Sequence, residues 1–86
     1  MHTVEMLECA LDFANHAGYG IRHEWLGGAS SGRCEIAGQK WLFVDLELSP
    51  IEQLDQVLEA LRSDPDIYAA KAPEELQRAL GIRPAA

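Results

Sequence analysis

Eighty-six residues make one small domain, expected to span 1–86, and leave no room for a second, because a chain this short buries only about 60–65% of its unfolded surface. Hydrophobic residues at 48% and charged residues at 24% describe an ordinary folding chain, which excludes a disordered tail, a collagen-like repeat and a disulfide-dense scaffold. Fourteen acidic against seven basic side chains leave a net charge of -7, which opposes binding to duplex phosphate or to an anionic membrane, so neither a nucleic acid nor a membrane is an expected partner.

The N-terminal stretch from Met1 to Glu5 carries no basic leader, and no apolar run approaches the roughly 20 residues a membrane span needs. A cytoplasmic setting is the expectation. Cys9 and Cys34 form neither a CxxC pair nor a zinc-ligand spacing, so two reduced thiols are expected.

The first helix is predicted over about Val4 to Ala17, with Thr3 as its cap and Gly18 as its stop. Val4, Met6, Leu7, Ala10, Leu11, Phe13, Ala14 and Ala17 fall on one half of the helical wheel, opposite Glu5, Glu8, Asp12, Asn15 and His16. From Tyr19 the period becomes two: Ile21, His23 and Trp25 alternate with Arg22, Glu24 and Leu26, as a half-buried strand requires. The glycine-rich run from Gly27 to Gly32 interrupts the pattern. Arg33-Cys34-Glu35-Ile36 resumes it, and Ala37 to Lys40 supplies a turn before Trp41-Leu42-Phe43-Val44, which is apolar on both faces. Ser49-Pro50-Ile51-Glu52 joins a capping residue, proline at the first helical position and glutamate three residues on, the pattern of a capping box. The second helix therefore runs from about Pro50 to Ser63, buries Ile51, Leu54, Val57, Leu58 and Leu61, and stops at Asp64-Pro65. A short third helix over Pro73 to Leu80 ends at Gly81, before a frayed tail over 83–86.

These elements define an α+β fold in the order α-β-β-β-α-α, with a three-stranded antiparallel sheet, two main helices on one face and a short C-terminal helix. A Gly38-Gln39 loop would set Ile36 opposite Trp41 and Cys34 opposite Phe43, giving a core face of Ile21, His23, Trp25, Cys34, Ile36, Trp41 and Phe43. Leu42 and Val44 then fall on the reverse face, to be covered by the C-terminal segment or by a second copy of the chain, and they are the expected self-association residues. A one-residue bulge in the turn would exchange the two faces.

Helix, three strands, helix over residues 4–63 resembles the double-stranded RNA-binding domain in element order. That family holds phosphates with basic residues at the start of its final helix. The corresponding stretch here, Ser49-Pro50-Ile51-Glu52-Gln53, contains no Lys or Arg, so the resemblance carries a fold order and no RNA site.

Glu5, Cys9, Asp12 and His16 line one flank of the first helix, but at 1.5 Å per residue they spread over roughly 16 Å of axis, too far to share one ion. The Gly27–Gly32 run leads into a strand and lacks the lysine of a phosphate loop. No cofactor or metal is therefore expected. On the antiparallel register Cys34 and His23 share a sheet face beside that loop, which makes a small-ligand or thiol-dependent site centred on Cys34, His23 and Gly27–Gly32 the alternative reading, although Glu35 beside Cys34 disfavours a thiolate. Between Asp45 and Asp66 seven acidic residues face one basic residue, Arg62, and Glu52, Asp55 and Glu59 share a sector of the second helix. The preferred expectation is a non-catalytic, homodimeric protein-interaction or regulatory module whose partner is another protein, with Glu52, Asp55 and Glu59 offering a contact for a basic surface.

Replacing Ser49 by alanine removes the acceptor for an orphan backbone N–H, so Ser49→Ala is expected to lose about 1 kcal/mol in chemical denaturation. An unchanged midpoint would show that Ser49 is not the cap.

Overall fold

The computed structural model describes residues 2–27, 32–69 and 71–81. Helix α1 (Thr3–His16) leads into strand β1 (Tyr19–Glu24), followed by β2 (Gly32–Ile36), β3 (Gln39–Asp45), helix α2 (Pro50–Arg62), a 3-10 turn (Pro65–Ala69) and helix α3 (Glu74–Leu80). The α+β class and the element order are as the periodicities require. The cap of α1 differs: His2 occupies it without a side-chain hydrogen bond, and Thr3 is already helical. At α2 the capping box is complete, because Glu52 N–H donates to Ser49 Oγ at 3.4 Å and Ser49 N–H donates to Glu52 Oε1 at 3.1 Å.

The sheet is mixed, in the order β1-β3-β2. β2 and β3 form the expected antiparallel hairpin, whereas β1 lies on the far side of β3 and runs parallel to it, pairing Tyr19 with Lys40, Ile21 with Leu42 and His23 with Val44. An all-antiparallel sheet is therefore corrected. Strand pairing is non-local, and alternation within β1 is satisfied equally well by a parallel or an antiparallel neighbour.

The hairpin turn is Ala37-Gly38, with φ of +52° and +81°, and Cys34 faces Trp41 while Ile36 faces Gln39. Positive φ at both central residues is the turn whose twist matches that of its flanking strands. This register differs from a Gly38-Gln39 loop by a two-residue slip, which leaves every β2 and β3 side chain on its expected side relative to the others.

The helices choose the other side. Leu42 and Val44 are buried at 0% and 2% exposure, together with Tyr19, beneath α1 and α2. Leu7, Ala10, Phe13 and Ala14 of α1 and Val57, Leu58, Ala60 and Leu61 of α2 complete the core. Ala10 and Ala14 are both fully buried, and their small side chains let α1 approach α2 closely. The two helix starts lie outside the core, with Val4 and Ile51 exposed rather than buried. Helix α3 packs Leu76 and Leu80 against α1 and α2 and, among the described residues, touches no strand, so it does not cover the reverse face of the sheet. Ile82 and the tail over 83–86 lie outside the described residues.

Ala37 holds a left-handed conformation that costs an L side chain roughly 1 kcal/mol, and asparagine tolerates it better, especially before glycine. Ala37→Asn is expected to raise stability by about 0.5–1 kcal/mol, read as a higher denaturation midpoint with an unchanged slope.

Candidate functional site

One face of the sheet has no helix above it among the described residues. Strand alternation places Gly20, Arg22 and Glu24 of β1, Cys34 and Ile36 of β2, and Trp41 and Phe43 of β3 there. Trp41 and Phe43 are half-buried, Cys34 is exposed, and Ile36 is 54% exposed. A Cβ added at Gly20 would come within 2.6 Å of the Trp41 ring, so the glycine is what lets that ring lie down across β1. The Arg22 guanidinium stands 5.9 Å from the ring centroid and pairs with Glu24 at 3.7 Å. The result is a flat, mainly apolar surface with one cation and one anion on its β1 border. Trp25, 72% exposed, follows at the end of β1.

The side that carries the helices holds a buried polar cluster. The Asp64 carboxylate accepts from the Tyr19 hydroxyl at 2.5 Å and from Lys40 Nζ at 3.1 Å, and it also accepts the Asp66 backbone N–H at 2.9 Å. Burial would push the Asp64 carboxyl up, but these three donors outweigh it and hold the group below the usual carboxylate range. Burial, followed by the Asp64 contact, raises the Tyr19 hydroxyl, while Asp64 raises the Lys40 ammonium. Lys40 also lies 5.6 Å from the centroid of the Tyr19 ring and pairs with Asp66 at 3.5 Å. Tyr19, Lys40 and the Asp66 backbone all donate to the one Asp64 carboxylate, so the cluster ties β1, β3 and the 3-10 turn together. Sequence reading passed over it, since Asp64 served there only as a helix stop.

Cys34 and His23 are not brought together. β3 separates their strands, and the pairing of His23 with Val44 and of Cys34 with Trp41 puts them on opposite faces, about 9.5 Å apart at the least from strand spacing alone. Between Gly27 and Gly32, residues 28–31 lie outside the described residues. The thiol alternative thus loses its base. Leu42 and Val44 likewise cease to be self-association residues, because the chain's own helices bury them.

On α1, Cys9, Asp12 and His16 line a hollow of about 310 Å³ with Phe13, Lys71 and Pro73, and Glu5 is not part of it. His16 Nδ1–H donates to the Asp12 carbonyl at 2.8 Å, and burial, then Asp12 and Glu75, pushes the Cys9 thiol up and away from a reactive thiolate. Among the described residues no group of three or more His, Cys, Asp and Glu side chains could hold a metal ion.

The acidic stretch divides. Asp45 is buried and its carboxylate accepts the Leu26 and Glu47 backbone N–H groups at 3.1 and 3.0 Å. Asp64 is committed to the cluster, and Glu52 closes the capping box, whose Ser49 donors hold its carboxyl below the ordinary range. Glu47, Asp55, Glu59 and Asp66 are exposed, Asp66 pairing with Lys40, and Glu59 borders a hollow of about 410 Å³ with Arg33, Gln56 and Ser63. Glu52, Asp55 and Glu59 therefore do not act alike: one is a cap, and two face solvent.

No family model, curated protein or solved structure matches the chain. Among the described residues no helix is long and apolar enough to cross a membrane.

Asp64→Asn removes the charge that Lys40 and Tyr19 face, and is expected to lose about 2–4 kcal/mol at neutral pH. Because the folded Asp64 carboxyl is depressed, its contribution is fully present above about pH 4 and is lost as pH falls through the depressed value. The Tyr19 hydroxyl is raised, so its contribution is fully present below about pH 10 and is lost as pH rises beyond. Wild-type melting temperature should form a plateau between those limits, and both slopes should be shallower in Asp64→Asn. A variant that melts like the wild type at every pH would remove Asp64 from this role.

Proposed function

We propose that this chain is a protein-interaction module without a catalytic role, and that it binds through the open sheet face formed by Cys34, Ile36, Trp41 and Phe43. One observation carries the reading: a two-layer fold with aromatic and aliphatic side chains on the sheet face opposite its helices. A solvated sheet face is normally polar, and an apolar patch of this kind marks a surface that another chain covers. Among the described residues the Trp41 ring lies across Gly20 on this face, and the Cys34 thiol has no histidine beside it. A protein surface matches that shape better than a ligand of small size. In a cytoplasmic, reducing setting Cys34 stays a free thiol within the contact, on its edge strand.

Cys34 also supplies the test. A photo-cross-linker attached to Cys34, with Cys9 replaced by serine, should give discrete protein adducts in extract of the source cells. The same label on an Asp55→Cys chain that also lacks Cys9 and Cys34 should give none, and adding Ile36→Lys to the first chain should abolish its adducts. Equal, diffuse labelling from both positions would refute a specific sheet-face contact.

A further inference from the structure

We infer that the occupant of the open sheet face is a second copy of this chain, packed sheet to sheet about a two-fold axis into a four-layer helix, sheet, sheet, helix assembly. The inference rests on the reading of that face as a protein contact and names the partner.

Charge distribution carries the choice. The whole chain has a net charge of -7, so two copies repel wherever their acidic surfaces meet. Among the described residues the exposed charges on the open face are Arg22 and Glu24, which cancel, while Asp45 at the end of β3 is buried against the Leu26 and Glu47 backbone N–H groups. Asp55 and Glu59 lie on α2, on the other side of the sheet, and the diameter of a helix, about 10 Å, separates an outward helix face from the strands. Two copies joined at their sheets would hold those acidic groups more than a Debye length apart at physiological salt, roughly 8 Å. A partner chosen by charge would instead be basic and would be steered to the acidic helix side.

The shape and polarity of the face agree. Trp41 lies flat over Gly20, which levels the surface between β1 and β3 and suits another sheet at about 10 Å. Arg22 and Glu24 sit two residues apart on one strand, both about half exposed. A two-fold axis that runs the two β1 strands antiparallel brings Arg22 of one copy toward Glu24 of the other, so the one charged pair on the face is self-complementary. Three strands of this length offer roughly 15 by 20 Å in plan, below the 800 Å² or so that each partner buries in a standard interface. The dimer should therefore be a weak one that dissociates in the micromolar range.

Sedimentation velocity of the purified full chain between about 10 and about 500 micromolar tests this, with the loading range set by the expected affinity. The weight-average mass should rise from 9.5 kDa toward twice that value. Ile36→Lys should weaken association at least tenfold while leaving the melting temperature of the dilute monomer unchanged, since Ile36 is exposed on an edge strand. Ile51→Lys, an equally exposed apolar position on α2, should leave association unchanged. Lowering the salt from about 150 to about 10 mM lengthens the Debye length to about 30 Å, so it should weaken the dimer. A chain that stays monomeric at the highest concentration overturns the inference. So does a dimer that Ile51→Lys disrupts and Ile36→Lys does not, which places the contact on another face, or one that low salt strengthens, which contradicts the charge argument for this face. If the purified chain is monomeric but the Cys34 label still gives discrete adducts in extract, the protein-contact reading stands and only the identity of the partner is wrong. Failure of both measurements removes both.

Discussion

Asp64 is the point at which the chain's separate elements are tied together. It follows the last turn of α2, opens the 3-10 turn by accepting the Asp66 N–H, and reaches across to the first residue of β1 through Tyr19 and to β3 through Lys40. A carboxylate that is 2% exposed is costly to bury, and three donors are what make that position tolerable. The tie also bears on the sheet's unusual pairing. Tyr19 and Lys40 are register partners in the parallel β1-β3 ladder, and both converge on one acceptor from the helix layer. An antiparallel β1 beside β2 would carry Tyr19 away from Lys40 and leave a buried charge with fewer partners. The cluster therefore selects strand order and register as well as adding stability.

That selection fixes which face of the sheet is buried. With Tyr19 and Lys40 turned toward Asp64, strand alternation turns Leu42 and Val44 the same way, and Trp41 and Phe43 have nowhere to go but the opposite side. Gly20 then becomes necessary, since any side chain there would occupy the space the Trp41 ring needs. A buried polar tie on one face and an exposed aromatic surface on the other are thus two consequences of a single register.

How much of this is legible in the sequence depends on whether the information is local. The α2 start could be read because a capping box is a four-residue pattern, and Ser49 and Glu52 make it as written. The hairpin could be located but not registered, because Ala37-Gly38 and Gly38-Gln39 are both acceptable loops and differ by a slip that preserves the faces. The choice of buried face failed for a different reason. Trp41-Leu42-Phe43-Val44 is apolar on both sides, and size favours the aromatics as core, whereas the deciding contact joins Tyr19, Lys40 and Asp64 across 45 residues of sequence. Cys34 and His23 looked like neighbours only under the antiparallel order, so the thiol alternative went with it.

The acidic composition has the same two-sided character. Counted along the chain, residues 45–66 are an acidic block that invites a basic partner. Placed in space, Asp45 braces the chain after β1 by accepting Leu26 N–H, Asp64 anchors the sheet, and Glu52 caps α2, so three of the seven carboxylates are structural before any partner is considered. Of the other four, Asp55 and Glu59 face solvent on α2, away from the apolar sheet face, while Glu47 and Asp66 are exposed just before and just after that helix. Among the described residues a strongly acidic chain thereby presents one side whose exposed charges, Arg22 and Glu24, cancel, and its net charge disfavours other approaches between copies at low salt. Repulsion distributed in this way is orientational: it resists association in general while leaving the sheet face as the approach on which two like-charged chains repel least.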